Sequence, residues 1–435
     1  MSVALSNEHH RTPSARSTLA LHALATLLLS SGYAVLWMMP VLARQRFAAN
    51  DWQTLLITAA GPTLLILSIF WNQLYERTTL ARYLLAFWCV GVLPLLGIAA
   101  GQSYWHLLAG HLAVAIGQAG WSPANGHLLK QLYSDNVRGR AFGVLNAATL
   151  VGAMAAGFGI GAWLERDPEA FRIYLPLTAL AQGGGLLVLL WVARRRGATG
   201  GAGGAAPGGA LATLRAALGN MGVILRRDPA FRRYEQAFMT YGVGWMICNS
   251  LLPVFTDVVH RMSYYEYAKW TQVTMQFAML LCALPFGWVL DRLGPARTSA
   301  LAFAGLSAYP LGLLASAGPA GVGIASAAYG AMMAGVQLGW MLGPLALART
   351  AAEVPQYVAI HTTLVGLRGI VAQGLGMLIY KLTGSFTWPF VIAALAFAWS
   401  AQQMWGLGST LAARRAERVG PPPAAAAVAV SSDIE

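Results

Sequence analysis

Apolar runs of about twenty residues recur along this chain, each closed by a short cluster of charged, glycine or proline residues. They cover 17–42, 53–73, 83–101, 104–128, 140–163, 172–193, 233–255, 267–290, 297–317, 319–348, 357–380 and 386–407. A helix of about 20 mostly apolar residues crosses a bilayer, so the pattern predicts an all-α membrane protein with twelve transmembrane helices. The first run follows Arg11 and Arg16 and so imitates a secretory signal. It is too long for a signal's apolar core, and further spans follow, so it reads as the first transmembrane helix. Six spans lie on each side of a middle segment, 194–232. That segment opens on Arg194, Arg195 and Arg196, passes through a Gly/Ala tract at 197–210, and continues as a basic amphipathic stretch over 211–225. The expected organisation is a tail over 1–16, a six-helix bundle over 17–193, the linker 194–232, a second bundle over 233–407 and a disordered tail over 408–435.

Charge sets the orientation. Alternate loops and both chain ends hold 21 Lys and Arg, the opposite loops hold 7, and Arg368 lies within a span. Basic residues stay on the cytoplasmic side, so both ends and the linker are expected there, with the chain in the plasma (inner) membrane. Composition agrees: 57% of residues are hydrophobic and only 10% charged, against about 25% charged in soluble domains. The net charge of +13 suits basic loops facing anionic lipid headgroups. No basic domain of foldable size lies outside the apolar runs, so nucleic acid is not an expected partner. The three cysteines, Cys89, Cys248 and Cys282, sit in apolar runs without ligand spacing, so neither metal nor disulfide is expected.

The halves repeat. Glu76-Arg77 with Arg82 and Asp291-Arg292 with Arg297 are offset by 215 residues; Gly152, Gly157 and Gly159 match Gly369, Gly374 and Gly376 at an offset of 217. Each match joins corresponding spans, which predicts a duplicated six-helix unit and two pseudo-symmetric bundles.

The segment Gly287-Trp288-Val289-Leu290-Asp291-Arg292-Leu293-Gly294-Pro295-Ala296-Arg297 resembles the loop signature of the major facilitator superfamily. A small residue there allows helices to approach, the acid can pair with a nearby base, and the turn needs glycine. The first-half copy is degenerate, with Asn72 and Thr79 where glycines are expected. Asp135 with Arg138-Gly139-Arg140 resembles the family's basic loop between helices 4 and 5. The span behind it lacks the Gly-Pro step of the family's drug antiporters. The resemblance implies two bundles rocking about a central site lined by helices 1, 4, 7 and 10. It also implies a latch or gate made of Gly287, Asp291, Arg292, Gly294, Arg297, Glu76, Arg77, Arg82, Arg138, Gly139 and Arg140.

Polar side chains at membrane depth ask for a reason. Arg368 lies near mid-span with His361 one heptad earlier. It reads either as a clamp for a substrate anion or as a structural partner of a carboxylate such as Glu235. His111, Gln118 and Asn125 recur at seven-residue intervals in the fourth span, which makes a polar stripe. Tyr33 and Trp37, Asn249, Gln272 and Gln276, and Gln337 and Trp340 are further candidates to contact substrate, or else bridges between helices and lipid-facing rings. Without an acid at the centre of the first six spans, a coupling proton has only Glu235, His111 and His361 to sit on. No constellation suits an enzyme and no cofactor is implied. The expected activity is secondary transport, by a monomer, of a small organic solute. An anionic or neutral polar metabolite is favoured, with efflux of amphipathic compounds as the alternative. A non-transporting sensor or scaffold on the same fold is the alternative from another class.

Overall fold

The computed structural model describes residues 15–198, 219, 221–348 and 354–419. The Gly/Ala tract of the linker, most of both tails and the loop around Arg349 fall outside them. Among the described residues there is no strand, as expected in hydrocarbon, where only a helix satisfies every backbone group within one segment.

In chain order the rods are α1 (Ala15–Phe47), α2 (Asp51–Arg77), α3 (Leu80–Ala100), α4 (104–132), α5 (Asp135–Arg166) and α6 (Phe171–Arg195). A short helix at 221–227 precedes α7 (Pro229–Val258), α8 (264–293), α9 (295–315), α10 (Pro319–Leu347), α11 (Val354–Thr383) and α12 (Thr387–Val419). Ten described stretches are long and apolar enough to cross a membrane. One of these, Tyr264–Ala315, turns at Gly294, where φ of 74° demands glycine, and so comprises α8 and α9. The rod α4 is not among the ten; it consists of two helices, Tyr104–Gln118 and Trp121–Leu132. Several rods outrun the expected spans: α12 continues helically to Val419, into the segment expected to be a disordered tail.

Local chemistry places the ends. Asn50 and Gln53 form a capping box that starts α2, and Asp228 caps α7 ahead of Pro229. Thr79, where the first-half turn glycine was expected, accepts a bond from the Arg82 amide and starts α3 in an extended conformation that needs no glycine. Close approaches depend on missing side chains: a methyl at Gly117 would overlap the Gly91 backbone, so α3 and α4 meet there backbone to backbone. Within each half the rods pack as a bundle, and the halves meet through α2 against α11 and α5 against α8. Gly366 and Gly369 let α11 lie on Ile66 and Pro62 of α2, while Gly157 and Gly161 let α5 lie on Gln272 and Ala268 of α8. The two contacts are related by the sequence repeat.

Candidate functional site

The rods leave a cavity of about 410 Å³ between the halves. Its lining comes from α1 (Tyr33, Trp37), α2 (Ile57, Thr58), α4 (His111, Gln118), α7 (Trp245, Asn249) and the start of α8 (Tyr267). Apolar and aromatic surface dominates, and no charged side chain is part of the lining. Five expected residues are therefore brought together: Tyr33, Trp37, His111, Gln118 and Asn249. Trp245 and Tyr267 were not expected, although Trp245 precedes Asn249 by one helical turn and so shares its face. Helix α10, expected in the lining, contributes none of it; α2 and α8 take its place.

The stripe on α4 breaks at a turn over Ala119–Gly120. The carbonyls loosened there find partners: Tyr83 Oη donates to Gly120 at 2.6 Å, and Trp71 Nε1 to Ile116 at 2.8 Å. Beyond the turn Asn125 no longer belongs to the lining, although heptad spacing on an unbroken helix would have put it there. His111 is 4% exposed and its Nε2 is 3.0 Å from the Ile57 carbonyl. A carbonyl only accepts, so Nε2 carries a proton.

Gln272 and Gln276 also fall outside the lining. A π-helical turn at Ala268–Val273 presents Thr271 and Gln272 to the first half instead. Trp37 Nε1 donates to Thr271 Oγ1 at 3.0 Å, and Gln272 Nε2 to the Ala153 carbonyl at 3.4 Å. Gln272 is thus a bridge between helices, and Gln276 lies buried one turn further along α8. Gln337 and Trp340 on α10 also fall outside the lining; Trp340 is exposed, with its ring 5.7 Å from that of His361.

Arg368 and His361 do not meet the α4 stripe. His361 Nδ1 lies 2.9 and 3.0 Å from the two Glu235 carboxyl oxygens, deep in the second bundle. Arg368 donates to the Phe238 carbonyl and lies flat on Gly242, where any side chain would overlap the guanidinium. The acid therefore takes the imidazole, not the guanidinium, as its direct partner. Sequence spacing gives the face of a side chain on its own helix, not its partner across the bundle.

Charges at the end of the molecule away from both termini join the halves. Arg44 of α1 reaches Asp257 of α7 through Nε at 2.8 Å and Nη2 at 2.7 Å, and Asp51 of α2 at 2.7 Å. Asp51 also pairs with Lys381 of α11, and Gln45 Nε2 donates to the Met262 carbonyl at 2.8 Å. The far end of the cavity is thereby closed. At the terminal end the signature loop carries Gly294 as its turn, as expected. Gly287, however, has open space where a close approach was expected, and Asp291 is exposed without an ion pair among the described residues. Arg292 lies over the Trp288 ring at 3.7 Å and Arg297 over Trp405 at 5.6 Å. In the first-half copy Asn72 donates to Glu76 at 2.8 Å and lies 3.3 Å from His127 of α4, so it ties two helices where glycine would have spaced them. Arg82, Gly139 and Arg140 are exposed, while Arg138 donates to the Tyr133 carbonyl at 3.2 Å; Arg77 ends α2.

Beside these far-end charges, Glu169 in the loop between α5 and α6 accepts from Arg46 and, at 2.8 Å, from Arg172. The Arg46 hydrogen bond, seconded by Arg172, holds its carboxyl below the usual carboxylate range. A lowered folded value stabilises the fold above the unfolded value of about 4.3 and stops doing so as pH falls through the folded value. Glu169→Gln should therefore narrow the gap in melting temperature between neutral and acid pH, mainly by lowering the neutral value. An unchanged gap would show that the cluster contributes nothing.

A model of the Major Facilitator Superfamily matches residues 20–351. No curated protein matches the chain in sequence. Among solved structures, a POT family transporter in complex with a thioalcohol-conjugated peptide superposes with a TM-score of 0.71 at 13% identity, over 90% of this chain and 96% of that one. A peptide transporter POT in complex with sulfate gives 0.70 at 14%, over 91% and 95%. A bacterial homologue of the human lysosomal transporter Spinster, inward-facing and unoccupied, gives 0.59 at 14%, over 95% and 99%. At such identities the likeness concerns the fold. With the duplicated bundles, the central cavity and the signature loop, the family match establishes that this chain belongs to the Major Facilitator Superfamily, a multi-pass membrane transporter and not an enzyme.

Proposed function

We propose that the chain carries a small neutral organic solute with an apolar or aromatic body, exposing the central cavity to each side of the membrane in turn. The observation that carries this reading is the lining: four aromatic rings (Tyr33, Trp37, Trp245, Tyr267) surround the amides of Gln118 and Asn249, with no fixed charge among them. Rings supply area for an apolar body and amides supply a few directed hydrogen bonds. An anion would need Arg368, which is engaged with Phe238 outside the lining. The reading thus keeps the neutral half of the expectation from sequence and moves toward amphipathic solutes. The neighbouring POT structures hold a peptide conjugate or sulfate, ligands with more charge than this lining would complement. With the termini in the cytoplasm, as the basic residues favour, this form, closed at the far end by Arg44–Asp257 and Asp51–Lys381, faces inward.

The test is a thermal-shift screen of neutral amphipathic amides and alcohols against organic anions, followed by flux into liposomes. Neutral compounds should stabilise the protein by mass action and be transported. Asn249→Ala or Trp245→Ala should weaken their binding roughly 5- to 30-fold, the equivalent of about 1–2 kcal/mol. Binding without flux would favour a sensor. Stabilisation by anions alone, lost in Arg368→Ala, would overturn the reading.

A further inference from the structure

A second cavity, of about 870 Å³, opens at the terminal end of the second bundle, and the central site makes no use of it. Its described lining comes from one half alone: the start of α7, the turn between α8 and α9, and the last turns of α10 and α12. The basic side chains in its wall are Arg292 and Arg297. Each guanidinium lies over an indole, Arg292 on Trp288 at 3.7 Å and Arg297 on Trp405 at 5.6 Å. Stacking occupies the flat face of a guanidinium and leaves its N–H edge open. Neither has an ion-pair partner among the described residues, and Arg297 Nε is buried without an acceptor. A donor group in that condition lacks an anionic oxygen.

The chain builds this arrangement locally. The turn at Gly294 brings Arg292 at the end of α8 and Arg297 at the start of α9 to one cavity. The stem of Arg297 lies on α12 at Gly408, where a methyl group would come within 2.7 Å of its Cγ. Two acids share the lining. Asp228 is already engaged: Oδ1 accepts from the Ala230 and Phe231 amides at 3.0 and 3.1 Å, and Oδ2 from Tyr357 Oη at 2.9 Å. Asp291 is exposed next to Arg292 in the chain. Two open guanidiniums thus stand against one carboxylate outside any cap, a balance that favours an anion. The volume is that of a cavity for an organic ligand and not for a bare ion, and Leu347, Leu407 and Leu411 add apolar wall.

We propose that this cavity binds a phosphate ester, its phosphate held by the N–H edges of Arg292 and Arg297 and its organic part against Leu347, Leu407 and Leu411. Guanidinium forks match phosphate oxygens two at a time. Two sources carry that chemistry, a soluble phosphate ester and an anionic lipid headgroup, and the experiment separates them. The site lies apart from the central cavity, so it stands or falls independently of the neutral solute proposed there.

The test uses full-length protein in nanodiscs of phosphatidylcholine alone, with phenyl phosphate as the probe at constant ionic strength. The probe should raise the melting temperature by mass action. Arg292→Gln, at an exposed position, should weaken the apparent affinity about tenfold. Arg297→Lys keeps the charge and most of the stem but loses the fork, and should weaken it as well. The shift should survive in Arg368→Ala and in Trp245→Ala, which alter other parts of the molecule. If a soluble ester is the ligand, the shift persists when phosphatidylglycerol is added to the nanodiscs. If a lipid is the ligand, phosphatidylglycerol itself raises the melting temperature of the parent but not of Arg292→Gln, and it abolishes the shift from phenyl phosphate. No shift from either source, or a shift of equal size in Arg292→Gln and Arg297→Lys, would overturn the proposal. A shift kept in Arg292→Gln but lost in Arg368→Ala would overturn both this proposal and the neutral reading of the central cavity. An Arg292-dependent shift without binding of any neutral solute would support this site and count against the central reading alone.

Discussion

Asp257→Asn will open the far end of the molecule. Arg44 sends two donors to Asp257 across the gap between the halves, and its side chain is only 10% exposed against 35% for the acid. Hydrogen bonds to charged groups are worth about 1.5–3 kcal/mol. Losing that charge should shift the balance between far-end-closed and far-end-open forms by roughly 10- to 100-fold, at about 1.4 kcal/mol per tenfold. Asp51→Asn removes the common partner of Arg44 and Lys381, so the double variant should go further than either single one. The two changes share Arg44, and their effects should not simply add. Spin labels at exposed Gln102 and Ala317, in opposite halves, would read the distance. A distribution identical to that of the parent would show that apolar packing alone holds this end shut.

The second large effect concerns Gly242. Its missing side chain is the space that the Arg368 guanidinium fills, beside Phe238, whose carbonyl it engages. Gly242→Ala places a methyl group inside that space and forces a buried cation off its acceptor. Overpacking costs about 1–3 kcal/mol, and a displaced charge adds the loss of a charge-assisted bond of about 1.5–3 kcal/mol. The variant should melt well below the parent. Adding Arg368→Ala removes both the clash and the displaced charge, so the double variant should recover stability relative to Gly242→Ala. If the double variant melts as low as the single one, the space at Gly242 serves helix packing and not Arg368.

These two expectations lie on features of unequal visibility in the sequence. The end charges Arg44, Asp51, Asp257 and Lys381 could be read as ordinary loop charges on the sparsely basic side. Nothing in their spacing says that Arg44 meets an acid more than two hundred residues away. The signal available was weaker: Asp51 and Asp257 close to Arg44 and Lys381 at the ends of spans that the duplicated fold brings to the same side. Gly294 was legible because a tight turn between antiparallel helices needs a positive φ, and that need is local. Gly287 was not, because whether a small residue is close to another helix depends on where the two halves stand.

What the sequence determined by itself was what hydrocarbon imposes on any chain. Apolar length set the spans, since each must satisfy its own backbone, and the two repeats set the pairing of helices into bundles. The bias of basic residues gave an expected orientation. Only the tertiary structure decided which polar groups face the cavity. The turn at Ala119–Gly120 removed Asn125 from a stripe that heptad counting assigned to it, and the π-turn swung Gln272 into the contact between halves. Tertiary packing also gave Glu235 to His361 and left Arg368 to a carbonyl. The physical reason is common to all of these. Helical periodicity fixes a residue's azimuth on its own rod, but partners are chosen by how rods rotate, kink and approach, and one irregular turn changes all three.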